Sequence, residues 1–152
     1  MAIMNALNVS ASGMTAQRLR LDIISQNIAN ASTTRDENGE AYRRKTVLFA
    51  EKGADSASTF NRMLLNKNSG LSETVGNGVR VTAIVEDHVT AMKKVYDPSH
   101  PDADEEGYVT MPNVNTVTEM TNLIDATRSY EANVTAFNAT KNMLLKGLEL
   151  GQ

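Results

Sequence analysis

The stretch IMNALNVSASGMTAQRLRLDIISQNIA, residues 3–29, decides the fold. Ile3, Leu7, Ser10, Met14, Gln17, Leu21, Ile24 and Ile28 recur at alternating steps of three and four. Leu7, Met14, Leu21 and Ile28 lie seven apart, which puts them on one narrow stripe of a helix. Gly13 is its weak point, worth about 1 kcal/mol against alanine in a helix interior. The polar run Asn30-Ala31-Ser32-Thr33-Thr34 supplies the stop. At about 1.5 Å per residue the helix is roughly 40 Å long.

The other end of the chain repeats the pattern. Asn115 or Thr116 can cap a second helix, and Glu119, three residues after Thr116, fits a capping box. Met120, Leu123, Thr127, Tyr130, Val134, Phe137, Lys141, Leu144 and Leu148 then step by three and four. Lys141 alone among them is charged, and Gly147 and Gly151 mark fraying. Two arrangements fit these helices. They can pair antiparallel over a private core, or form a coiled-coil hairpin that also packs on other subunits. From Ala132 to Thr140 no side chain is ionisable. Faces meant only for water carry more charge, so the second arrangement is favoured.

Between the helices the pattern changes. Thr46–Ala50, Gly78–Val85, Val89–Tyr96 and Tyr108–Met111 read as short strands. Residues 55–76 are rich in Ser, Asn and Gly, with Phe60 and Met63-Leu64-Leu65 as their apolar content, and read as a loop or a short helix. Pro98, Pro101 and Pro112 punctuate the return to the second helix. The expected fold is mainly α with a β-rich middle.

Composition excludes several functions. The chain has 152 residues, a net charge of −3, no cysteine and 5% aromatic residues. Without cysteine there is no disulfide scaffold, thiolate nucleophile or zinc finger. A mildly acidic balance argues against a nucleic-acid partner. Asn, Thr and Ser make up about a quarter of the residues, which leaves a thin core. Met1–Val9 lacks the basic start of a cleaved Sec signal, so any export is expected to proceed without one.

No constellation suggests an enzyme. Asp102, Asp104, Glu106 and Gly107 fit a calcium loop loosely, but Asn113 stands where its glutamate belongs and Pro112 precedes it, so an acidic turn is expected. His88 and His100 lie in separate segments without a nucleophile. Gly76-Asn77-Gly78 lacks the Lys-Ser/Thr of a phosphate loop and precedes a strand, as a hairpin turn does. Arg43-Arg44-Lys45 is too short for a nucleic-acid patch. Catalytic, cofactor and metal residues are therefore expected to be absent, as is a small-molecule substrate.

Longer motifs carry a resemblance. Ser10-Ala11-Ser12-Gly13-Met14-Thr15-Ala16-Gln17-Arg18, followed by residues Ile24 to Thr34, resembles the bacterial flagellar rod and hook proteins. Tyr42-Arg43-Arg44-Lys45 after an insertion, His100-Pro101-Asp102-Ala103-Asp104, Pro112-Asn113-Val114-Asn115 and Tyr130-Glu131-Ala132-Asn133-Val134 resemble the proximal rod members of that family. Residues 51–75 cannot be placed by it.

The resemblance implies a structural subunit of the basal body that polymerises helically into a hollow drive shaft. Residues 1–32 and 113–152 would form the coiled-coil domain, and 33–112 a β-rich and loop region. Leu7, Met14, Leu21 and Ile28, together with Leu123, Tyr130, Phe137 and Leu144, would make the helix interfaces. Tyr42, Arg43 and Arg44 would make outer lateral contacts. The implied partners are other copies, the rod proteins FlgB, FlgF and FlgG, the rod-to-ring junction protein FliE and the type III export apparatus, with the rod in the periplasm.

Overall fold

The computed structural model describes residues 2–36, 39–52 and 78–149. The expectations placed on Phe60, Met63–Leu65, Gly76, Asn77 and Gly151, and on the Ile3 side chain, lie outside what it describes. Helix α1 spans Ala2–Ala29 and helix α2 spans Thr116–Glu149. Between them lie β1 (Lys45–Glu51), β2 (Val79–Glu86), β3 (Lys93–Tyr96) and β4 (Tyr108–Met111). Mainly helical ends with a small strand-containing middle are as the sequence led us to expect. The third strand is shorter than the expected Val89–Tyr96, because the bend at Val89–Thr90 precedes it. Among the described residues no helix is long and apolar enough to cross a membrane.

Two compact units divide the chain. One holds residues 1–18, 48–83 and 128–152, the other residues 19–47 and 84–127. The second contains most of the buried apolar residues: Ile23, Ile24, Ala41, Tyr42, Val47, Val109 and Ala126. In the first, Ala16 is the buried apolar side chain among the described residues, beside a buried Ser10.

Each helix ends for a local reason. At the end of α1 the Asn30 backbone N–H and its Nδ2 both donate to the Gln26 carbonyl, at 3.0 and 2.9 Å. Thr33 then donates its backbone N–H to the Asn30 carbonyl, closing orphan acceptors of the last turn. Helix α2 is capped by Asn115, whose Oδ1 accepts the N–H groups of Val117 (3.0 Å) and Thr118 (3.3 Å). Glu119 closes no capping box. Its carboxylate turns away, into the interior.

The threonines of α2 solve a second problem. Thr121, Thr127, Thr135 and Thr140 each donate the hydroxyl to the carbonyl four residues back, at 2.8–3.1 Å. Such bonds satisfy the side chain on its own helix. Each such threonine then presents a methyl group and few unmet polar atoms.

The two hairpins are small. Strands β1 and β2 form one two-stranded sheet. Hydrogen bonds from Lys52 N–H to the Gly78 carbonyl and from Asp87 N–H to the Arg44 carbonyl, both 2.8 Å, show that they run antiparallel. Strands β3 and β4 pair antiparallel, Lys93 opposite Met111 and Tyr96 opposite Tyr108. The two tyrosine rings meet edge-on at 5.3 Å. The loop between them is an acidic turn in which Asp97 and Asp104 bond within the loop and at its edge, while Asp102 accepts the Thr34 hydroxyl at 2.8 Å. Asp97 Oδ1 accepts the hydroxyl and N–H of Ser99, and Asp104 Oδ1 accepts the N–H groups of Glu106 and Tyr108. The Ser99 hydroxyl, then its N–H, holds the Asp97 carboxyl below the ordinary carboxylate value.

Candidate functional site

Asn27 is fully buried near the end of α1. Its Nδ2 donates to the Lys45 carbonyl (2.8 Å) and to Glu119 Oε2 (3.1 Å). Its Oδ1 accepts the Lys45 N–H and the Tyr42 hydroxyl, both at 2.9 Å. All four bonds an asparagine amide can make are made. The amide pairs with both backbone groups of Lys45, as a neighbouring strand would, and so docks the segment entering β1 onto the helix.

Glu119 receives the other side of the cluster. Its side chain is 1% exposed and faces Arg44, whose Nε lies 2.9 Å and second guanidinium nitrogen 2.8 Å from Oε1. Asn122 Nδ2 adds a third bond to the same oxygen at 3.2 Å. A buried carboxylate is tolerated when it is both paired and hydrogen-bonded, as here. The Arg44 backbone is fixed as well: its N–H donates to Asn113 Oδ1, and Asn113 Nδ2 donates to the Asp87 and Thr90 carbonyls. Asp87 accepts the Thr90 N–H and hydroxyl, bonds that pull its carboxyl below the ordinary value.

Tyr42 is 8% exposed. Burial, then the charges of Glu86, Glu119 and Asp36, hold its hydroxyl above the ordinary value of 10.0. The Lys45 ammonium sits 5.7 Å from its ring centroid. Tyr42 and Arg44 are thus engaged inside the chain. Arg43 is half-buried, with its guanidinium 3.9 Å from Glu40.

The other unit holds a second meeting of the helices. A Cβ added to Gly13 would lie 2.7 Å from Asn133 Oδ1, so the helices touch there closely. Gly78, at φ +93°, lies against Ser12 and Val9 of α1. The Ser12 hydroxyl donates to the Val9 carbonyl and accepts the Val79 N–H at 3.0 Å, which ties the start of β2 to the helix.

The expected interface residues fall at mid-depth. Leu7, Met14, Leu21, Ile28, Leu123, Tyr130, Phe137 and Leu144 are all half-buried. The most buried residues of α1 are Ser10, Ala16, Ile23, Ile24 and Asn27, of which Ser10 and Ile24 belong to the periodic set. On α2 they are Glu119 and Ala126. Met120 and Leu148, which the periodicity placed on the inward face, are 54% and 69% exposed. A second stripe, Val117, Met120 and Ile124, is exposed at 71%, 54% and 54%. His88 lies 3.9 Å from Glu86, and His100 Nδ1 accepts the Asp102 N–H, so the two histidines serve different loops.

The Asn27–Arg44–Glu119 cluster escaped the sequence reading, which assigned Glu119 to a cap and Arg44 to the surface. The available signal was Asn27 itself, an uncharged polar residue on the line of Ile23 and Ile24.

The family described as flagella basal body rod protein matches residues 7–35. The C-terminal family of the flagellar basal body rod FlgEFG proteins matches residues 105–150. The chain is 51% identical to the flagellar basal-body rod protein FlgC of Bacillus subtilis, covering 100% of each. It is 42% identical to that of Borreliella burgdorferi, over all of this chain and 99% of the relative, and 38% identical to that of Salmonella typhimurium over the whole of both. The chain belongs to the flagellar basal-body rod proteins, in the group named FlgC, and is a structural rod subunit rather than an enzyme.

Proposed function

We propose that the chain is a subunit of the proximal rod, polymerising helically with its terminal helices side by side in a shared coiled-coil layer. Residues 1–32 and 113–152 form that layer, and 33–112 carry the outer contacts. One observation carries the proposal. Val117, Met143 and Leu148 on α2 are 64–71% exposed, with Met120 and Ile124 beside Val117 at 54%. Apolar faces of this kind belong against a partner. The threonine hydroxyls bonded within α2 suit the same end, since they leave little polar surface to desolvate on contact.

A face that meets a different face of the next copy, repeated with a screw rotation, builds an open filament. Leu7, Met14, Leu21, Ile28, Leu123, Tyr130, Phe137 and Leu144 then divide their surface between their own hairpin and its neighbours. Arg43 contributes to lateral contacts directly, Tyr42 and Arg44 by holding the strap, the segment Ala41–Arg44 entering β1, from which it projects. The neighbours are other copies, FlgB, FlgF, FlgG and FliE, within a periplasmic shaft that transmits torque and passes exported subunits. The chain reaches it through the flagellar type III apparatus. Absence of cysteine suits that route, since an unfolded passenger cannot form wrong disulfides.

Ile124→Asp tests the proposal. The variant chain stays within about 0.5 kcal/mol of the parent in denaturant unfolding, as expected of an exposed site. Cells carrying it as their sole copy lack a complete rod and do not swim. Swimming cells with intact rods would overturn the proposed interface.

A further inference from the structure

We propose that the Asn27–Arg44–Glu119 cluster selects the register in which α1 lies against α2, and that selection rather than added stability is its role. It concerns the chain's own folding and stands independently of the assembly proposed above.

The apolar residues of the seam discriminate poorly between registers. With Asn27 opposite Glu119, the antiparallel helices set Ile23 opposite Leu123 and Arg20 opposite Ala126. Slid by one heptad, Ile23 would face Tyr130, and Asn27 would face Ala126. Leu123 and Tyr130 are both half-buried and both apolar in body, so such a slip exchanges one contact for a similar one. Coiled-coil seams of this kind rely on a polar position to fix register.

Glu119 supplies that position. It is where α2 meets two other elements at once: α1 through Asn27 Nδ2, and the strap entering β1 through Arg44. Because Asn27 also holds both backbone groups of Lys45, strap and helix move together. A slip would strip the 1%-exposed carboxylate of both partners and leave Asn27 with a methyl group in place of its acceptor.

Replacing a buried ion pair by apolar side chains of similar size is often neutral or stabilising. Stability and register selection can therefore be separated in the double variant Arg44→Met/Glu119→Met. The chain has no cysteine of its own, so engineered pairs report register by disulfide formation. Ile23→Cys/Leu123→Cys reads the native offset, and Ile23→Cys/Tyr130→Cys reads the one-heptad slip. In the parent background the native-offset disulfide dominates. In the double variant helix content by circular dichroism is retained, while the ratio of native to slipped disulfide falls at least about tenfold. Arg44→Lys, which keeps the charge pair, preserves the parent ratio. An unchanged ratio in the double variant would overturn the inference. So would loss of helix content there, because the cluster would then be holding the fold together rather than choosing between alignments.

Discussion

At the scale of single residues, the chain's polar side chains do work that its sparse aromatic residues do not. Asn27 replaces a strand partner for Lys45, and Tyr42 closes the cluster with one hydroxyl. Removing that hydroxyl in Tyr42→Phe costs about 1 kcal/mol at neutral pH, the net worth of one hydrogen bond. The pH dependence has a definite sign. The folded chain holds the Tyr42 hydroxyl above the 10.0 at which an unfolded tyrosine ionises. Unfolding then releases a proton at alkaline pH, so the stability tied to Tyr42 is whole below pH 10 and is lost as pH rises through its folded value. Denaturant unfolding from pH 8 to 11 should show that fall in the parent and a shallower one in Tyr42→Phe. An equal fall in both would mean the hydroxyl is not held as the structure places it.

At the scale of elements, glycines separate what the backbone requires from what a side chain can absorb. Gly78 has a positive φ, and a Cβ there would strike Ser12 and approach the Val9 backbone, neither of which can leave. Gly13 is helical, and its Cβ would meet the far end of Asn133, whose amide can turn. Gly78→Ala should destabilise by about 2 kcal/mol or more, while Gly13→Ala stays within about 1 kcal/mol, because helix propensity offsets the crowding. Urea unfolding of the two variants decides it, and equal losses would contradict the assignment. The helices were legible in the sequence because their periodicity runs for many turns, and their stop signals are local: Asn30, Thr33 and the cap Asn115. The cluster was not legible, because it depends on pairs 92 and 75 residues apart, Asn27 with Glu119 and Arg44 with Glu119. Local rules assigned Glu119 to a capping box, and only the tertiary fold offers it a guanidinium. The periodic reading of α1 included the buried Ser10 and Ile24 but passed over Ala16, Ile23 and Asn27, in part for a similar reason. Ala16 and Asn27 are too small or too polar to register as core, yet they are among its most buried side chains.

At the scale of the whole molecule, the thin core and the exposed apolar helix faces are two sides of one property. Among the described residues eight apolar ones are buried below a tenth of their surface, while Val117, Met143 and Leu148 are mostly bare. Under the proposed assembly such a chain completes its packing with other chains. The absence of cysteine makes this directly measurable, since one introduced thiol is unique. The decisive measurement is the rate of maleimide labelling of Ile124→Cys, in the purified chain and in basal bodies isolated from cells that swim with this variant as their sole copy. The shared helical layer predicts fast labelling in the free chain and at least about tenfold slower labelling in the basal body, since a covered thiol reacts only on local opening. Equal rates in the two would leave this face uncovered in the rod and would contradict the claim that its helices are buried between subunits.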